Sequence, residues 1–293
     1  MGVIMIDTAP NTDQNATRLQ LGFNAFAAWA LTSAVLRSTI LRASMVIAAL
    51  IASFVAVPAH AQREPSAAEQ DVLQRAAIRI DLGANYYQQR NYAVALGEAN
   101  EALRLVPDFA PAHGLLGLIY MALGENEKAE TSFKRGLQSK ATDADLNNNY
   151  GWFLCQTKRE AAAIPYFLAA TRDPLYTAPS KAFHNAGICS MRTGNNTEAE
   201  GYFQRAFQLD PSNPVAMFNL AELHLRSGDL PKAQFHAQRL LATFEPSAQT
   251  LWLAVRVQRK LGDKDQTASL ASQLRRLFPE SQEVALLMQS RYE

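Results

Sequence analysis

Cys155, Cys189 and five histidines, His60, His113, His184, His224 and His236, are the strongest nucleophiles and metal ligands in this 293-residue sequence. A metal site needs two or more such groups aimed at one ion, which on a helix means a spacing such as H-x-x-x-H or H-E-x-x-H. The histidines show no such spacing and fall in separate segments, where structural roles account for them. A reactive thiol needs a basic neighbour or a C-x-x-C partner to lower its pKa, and neither cysteine has one close in sequence. The glycine patterns that cradle phosphate or present a hydrolase serine, G-x-x-x-x-G-K-[ST], G-x-G-x-x-G and G-x-S-x-G, do not occur. No catalytic residue, metal or cofactor is therefore expected, and the chain reads as a non-enzyme.

The glycines serve a repeat instead. Gly83, Gly117 and Gly151 recur every 34 residues, and Ala95, Ala129 and Ala163 follow them at a constant lag of twelve. The unit has Gly at position 8, Ala at 20, an aromatic at 24 (Phe133, Phe167), a small residue at 27 and Pro at 32. Position 8 is where a first helix, A, meets a second, B, and leaves almost no room for a side chain. Position 20 is the small residue facing it, and the aromatic at 24 fills the space beside them. Proline at 32 ends helix B because it cannot continue the backbone ladder. This pattern resembles the tetratricopeptide repeat, a helix-turn-helix unit. Six repeats fit in register, starting at Ala76, Ala110, Ala144, Ser180, Pro214 and Ala248, with two extra residues in the loop RDPLYTAPSK before the fourth. The fifth has Ala221 for the glycine, and the sixth is marked only by its turn Gly262 and by Pro279, so a five-repeat reading is the alternative. The expected fold is all-α: a tetratricopeptide-repeat superhelix of about six helix pairs over 76–281. A capping helix over 282–293 would set Val284, Leu287 and Met288 against the last repeat.

With 48% hydrophobic and 19% charged residues the chain is able to bury a core. Its net charge of +1 gives no long-range field of the kind nucleic acid requires. Residues 1–61 read differently. The apolar run Met45 to Val57 follows Arg37 and Arg42 and precedes Ala59-His60-Ala61, the pattern of a leader and signal peptide cut before Gln62. A retained anchor is the alternative, but thirteen residues at about 1.5 Å each fall short of the roughly 30 Å hydrocarbon layer. Residues 1–44 hold a second mildly apolar run, Leu21 to Leu36, and a translation start set too far upstream accounts for them most simply. Beyond the cut, 62–75 form a tether and the start of the first helix, with a capping box at Ser66-Ala67-Ala68-Glu69. Removing the first 61 residues leaves 25 basic and 25 acidic side chains, an electrically balanced surface.

The repeat register places the remaining candidates. Cys155 and Cys189 occupy positions 12 and 10 of consecutive A helices, which pack about 8–10 Å apart. In an oxidising compartment they could form a disulfide; two small buried thiols are the other reading, since the two-position offset separates their Cβ atoms. Positions 5, 9 and 12 of the A helices should line the inner face of the superhelix. In repeats one to four they include Ile80, Tyr87, Leu118, Met121, Asn148, Trp152, Ile188 and Met191. The lysines and asparagines with which some such domains clamp an acidic C-terminus are missing there, apart from Asn148. An apolar strand or amphipathic helix of a protein partner suits this groove better, with Trp and Tyr as anchors, unless the first helix covers it. No small-molecule substrate is implied.

The runs Leu146 to Gln156 (LNNNYGWFLCQ), Asp173 to Tyr176 (DPLY), Gly187 to Cys189 (GIC) and Ala199 to Pro214 (AEGYFQRAFQLDPSNP) are similar to the PilF/PilW family of type IV pilus biogenesis and stability proteins. The likeness covers about 76–245 and is most specific in repeats three and four. It implies a periplasm-facing, non-catalytic adaptor whose partner is the outer-membrane secretin of the pilus. Members resembling pilotins carry a lipid on a cysteine directly after the signal peptide. Here that place reads AHAQ and no cysteine precedes Cys155, so a lipid anchor is not expected. A general periplasmic scaffold recruiting cell-wall or envelope enzymes is the alternative that the repeat alone permits. Intact-mass measurement on a periplasmic extract should find a chain starting at Gln62; a species retaining Met45 to Ala61, or carrying a lipid, would overturn that expectation.

Overall fold

The structure is a computed structural model that describes residues 66–292; the leader, signal segment and most of the tether fall outside them. Helix formation begins at the capping box. Ser66 Oγ accepts from the Glu69 amide, and the Glu69 carboxylate accepts from the Ser66 amide at 2.6 Å, so two orphan donors of α1 (Ala67–Gln88) are satisfied reciprocally. Twelve further helices follow, and the described residues contain no strand. They are α2 (Tyr92–Leu105), α3 (Ala110–Ala122), α4 (Asn126–Ser139), α5 (Ala144–Gln156), α6 (Glu160–Ala170), α7 (Pro179–Arg192), α8 (Asn196–Leu209), α9 (Pro214–Ser227), α10 (Leu230–Thr243), α11 (Ala248–Leu261), α12 (Lys264–Leu277) and α13 (Gln282–Met288). Six antiparallel A/B pairs and a terminal helix make this an all-α tetratricopeptide-repeat fold. No helix among the described residues is long and apolar enough to cross a membrane.

Each A-to-B turn needs one residue in the left-handed region at position 15. Gly124, Gly194, Gly228 and Gly262 hold it with φ of 77–82°, which costs a glycine nothing. In repeats one and three the same turn is made by Arg90 and Lys158 at φ 60° and 62°, where a Cβ is strained.

The A/B contact is a fit of glycine against an aromatic ring. A Cβ built on Gly117 would lie 2.5 Å from the Phe133 ring, and one on Gly187 would lie 2.7 Å from Phe203. Gly151 meets Phe167 at 3.0 Å in the same way. All three rings are fully buried. The sixth repeat, which lacks this signature, exchanges the two volumes: Val255 stands at position 8 and Ala271 at position 24, both buried. The fifth takes the middle course with Ala221 and Ala237.

Neighbouring repeats join through B-to-next-A packing, and A helices also approach one another directly at α1/α3, α3/α5, α5/α7 and α9/α11, which places them on the inner side of the stack. Polar rungs accompany this packing. Asn185 Nδ2 donates to Asn148 Oδ1 at 3.0 Å, and Asn213 Nδ2 donates to Ser180 Oγ at 2.8 Å. Between repeats two and three, Arg159 Nη1 donates to both Glu130 oxygens at 3.0 Å while Lys134 approaches at 2.8 Å. Those bonds, Arg159 first, hold the Glu130 carboxyl down at about 2. A depressed folded-state pKa means that this contribution is complete above the unfolded value and is lost as pH falls towards 2. Cys155 and Cys189 are joined in a disulfide across a Cα separation of 5.8 Å, tying α5 to α7.

The last helix departs from expectation in one residue. Val284 and Leu287 are buried against Leu251, Trp252 and Leu274, but Met288 is 70% exposed because it ends α13 and turns away. Tyr292 folds back instead and stacks on Trp252 at 5.3 Å.

Two pairs of variants test these contacts by thermal melting. Gly117→Ala should lower the midpoint by several degrees, because about 1–3 kcal/mol of overpacking against Phe133 exceeds the roughly 1 kcal/mol gain in helix propensity. Gly97→Ala, in α2 with nothing within 4 Å of a new Cβ, should raise it by about 2 °C. The reverse order would show that the A/B interface is loose. Replacing Cys155 and Cys189 together by alanine should cost roughly 3 kcal/mol for a closed loop of 34 residues, and free-thiol labelling of the denatured, unreduced wild type should find no reactive thiol.

Candidate binding groove

The inner-face residues come from the A helices α1, α3, α5 and α7. Because Gly117, Gly151 and Gly187 turn towards helix B, the next residue in each helix, Leu118, Trp152 and Ile188, is rotated about 100° away from that contact. These side chains are half-buried, as are Ile80, Tyr87, Met121 and Met191. Their inner ends pack on the core: Leu118, Met121 and Trp152 on the cluster around Phe153 and Cys155, Ile188 and Met191 on that around Phe203 and Leu220. Tyr87 lies 5.8 Å from Tyr92, ring to ring. Helix α1 makes its contacts with α2 and α3, at the near end of the stack from Trp152 and Met191.

Asn148 is a correction. It is 1% exposed, its carbonyl oxygen accepts from Asn185 and its amide donates to Asn149, so it is a rung between helices and offers no donor to a ligand. His184 is engaged in the same way, with Nδ1 2.9 Å from Asn213 Nδ2 and its pKa lowered by burial.

The groove also holds a cation that positions 5, 9 and 12 do not include. The Arg192 guanidinium, at position 13, sits over the Trp152 ring at 5.7 Å and donates to the Cys155 carbonyl at 3.2 Å and to Gln156 Oε1 at 3.1 Å. It thus braces the indole against the disulfide-linked turn of helix. Carrying the register into repeats five and six, which was the available signal, reaches Phe218, Glu222 and Leu225, then Trp252, Arg256 and Arg259. The apolar stripe gives way there to a charged surface.

Two histidines that look unrelated in sequence meet. His224 of α9 and His236 of α10 stack at 5.8 Å, and burial, reinforced by His224 and Arg239, pulls His236 down to about 4. Both are buried, and His236 meets Phe207 edge-on at 5.1 Å. Among the described residues no group of three His, Cys, Asp or Glu side chains is placed to hold a metal.

The half-buried apolar side chains thus form a stripe along the A helices α1, α3, α5 and α7. The tetratricopeptide-repeat family matches residues 80–144, 120–176 and 190–255. The type IV pilus assembly protein PilF of Pseudomonas aeruginosa is 30% identical over 204 residues, covering 70% of this chain and 81% of that protein. The crystal structure of PilW, a widely conserved type IV pilus biogenesis factor, superposes with a TM-score of 0.66 at 32% identity, over 73% of this chain and 98% of that one. The solved structure of Pseudomonas aeruginosa PilF gives a TM-score of 0.70 at 28% identity, over 75% and 99%. With the Gly/Phe repeat, the six helix pairs and this similarity along most of the described stack, the chain belongs to the PilF/PilW family of tetratricopeptide-repeat proteins of type IV pilus biogenesis.

Proposed function

We propose that this protein is a non-catalytic adaptor that binds a polypeptide segment along the apolar inner face and promotes assembly or stability of the type IV pilus secretin. The observation that carries the reading is the row of half-buried Tyr87, Leu118, Met121, Trp152, Ile188 and Met191 within a chain so similar to PilF. Side chains with their inner ends packed and their outer surfaces open lose little further entropy when a partner covers them, so apolar burial is kept as binding energy at about 25 cal/mol per Å². Met121 and Met191 adapt their shape to an incoming side chain, while Trp152 is a rigid anchor. The chain is exported and works in the periplasm in this reading, held near the outer membrane by its partner and not by a lipid. The covalent link between α5 and α7 suits an oxidising compartment.

Trp152 and Tyr150 separate binding from folding. Tyr150 is buried among Phe133, Phe153 and Tyr166, and burial raises its hydroxyl to about 12. Trp152→Ala should weaken capture of the purified secretin by roughly 2 kcal/mol or more, about thirtyfold, with little change in melting temperature. Tyr150→Ala should melt the protein at least several degrees early through a cavity worth about 3–5 kcal/mol. The groove reading fails if Trp152→Ala binds as the wild type does, or if it unfolds the stack.

A further inference from the structure

The far end of the inner face carries a site of different chemistry. Between α9, α11 and the residues after α13 lies a cleft of about 930 Å³, lined by Arg226, Arg256, Arg259, Lys260, Arg291 and the ring of Tyr292. Five cations converge on it from three segments of the chain, and among the described residues a single buried carboxylate, Glu222, stands against them. That carboxylate is already committed. Arg256 Nη1 donates to Glu222 Oε1, Arg226 Nε lies 3.5 Å from Glu222 Oε2, and Arg256 Nε donates to the Tyr292 carbonyl at 3.1 Å. Arg259, Lys260 and Arg291 are left without an ion pair to any described residue. Arg259 is nonetheless oriented, with its guanidinium 3.9 Å from the centre of the Tyr292 ring, which itself stacks on the buried Trp252. Gathering unpaired like charges around one recess raises the local potential and opposes folding unless an anion enters.

We propose that this cleft binds an acidic polypeptide segment, with Arg259, Lys260 and Arg291 pairing its carboxylates and Arg256, fixed by Glu222, setting the floor. Guanidinium forks match carboxylates two bonds at a time, and a guanidinium held on an aromatic face has less freedom to lose on pairing. Arg256 and Arg259 hold positions 9 and 12 of the sixth A helix, the register positions that carry the apolar stripe in repeats one to four. A bilayer or a nucleic acid needs a broad cationic surface, whereas these five cations line one recess of a chain whose net charge is only +1. The proposal stands apart from the secretin reading, because its test uses a synthetic probe and no pilus protein.

The test is fluorescence anisotropy of a fluorescein-labelled hexaglutamate peptide titrated with the purified full chain, beside a hexalysine control. Saturable binding of hexaglutamate alone is expected, weakened at least tenfold by Lys260→Glu with Arg291→Glu, both exposed positions, and weakened again between about 50 and 300 mM salt. Arg259→Ala should lose affinity similarly, and melting curves of all variants establish that they are folded. Arg205→Glu, at an exposed position on α8 outside the cleft, should bind the peptide as the wild type does, which ties the loss to this cleft. Absence of saturable hexaglutamate binding, or equal binding by the folded double variant, would overturn the proposal. So would charge-reversal-sensitive binding to phosphatidylglycerol vesicles with none to the peptide.

Discussion

Everything in this molecule hangs from the packing of a missing side chain against a ring. In repeats two, three and four a glycine at position 8 lets a phenylalanine at position 24 come within 2.5–3.0 Å of where its Cβ would stand. That closeness sets the separation of helices A and B. Repeats two, three and four share this contact, so their A helices are set alike, whereas repeats five and six put Ala221 with Ala237 and Val255 with Ala271 in its place. The sixth repeat makes the contact the other way round, with the larger residue, Val255, on helix A and the smaller, Ala271, on helix B.

Interdigitation within a repeat does not by itself orient one repeat on the next. That is done by packing of each B helix on the next A helix, joined by polar and covalent ties between A helices: the Asn148–Asn185 rung, the Asn213–Ser180 bond and the Cys155–Cys189 bridge. They concentrate around repeats three and four, where Trp152, Ile188 and Met191 stand. Arg192 links the two roles, covering the indole while bonding to the backbone of the bridged Cys155. A hydrogen-bonded, cross-linked scaffold under an apolar stripe is what a preorganised protein-binding surface requires, since ordering it after contact would subtract from affinity.

Along the inner face the chemistry changes sign of character halfway. Repeats one to four present apolar surface, whereas repeats five and six present Glu222 with Arg226, Arg256, Arg259 and Lys260. The overall charge of +1 conceals this asymmetry completely.

The sequence by itself determined the fold, because a 34-residue period of glycine, alanine and phenylalanine demands one kind of local contact and that contact is between residues close in the chain. The same register put Leu118 and Trp152 one residue past their glycines, on the side of each A helix turned away from helix B. Only the tertiary structure decided how those positions are used. Asn148 is consumed by Asn185, 37 residues away, and Met288 yields its place on the last repeat to Tyr292. His224 and His236 meet across a turn, and three arginines and a lysine from separate segments join Arg256 at one cleft. Each of these outcomes depends on side-chain reach and on competition for partners between repeats. Periodicity specifies backbone register, but it does not specify which of several neighbours a polar or charged group will finally contact.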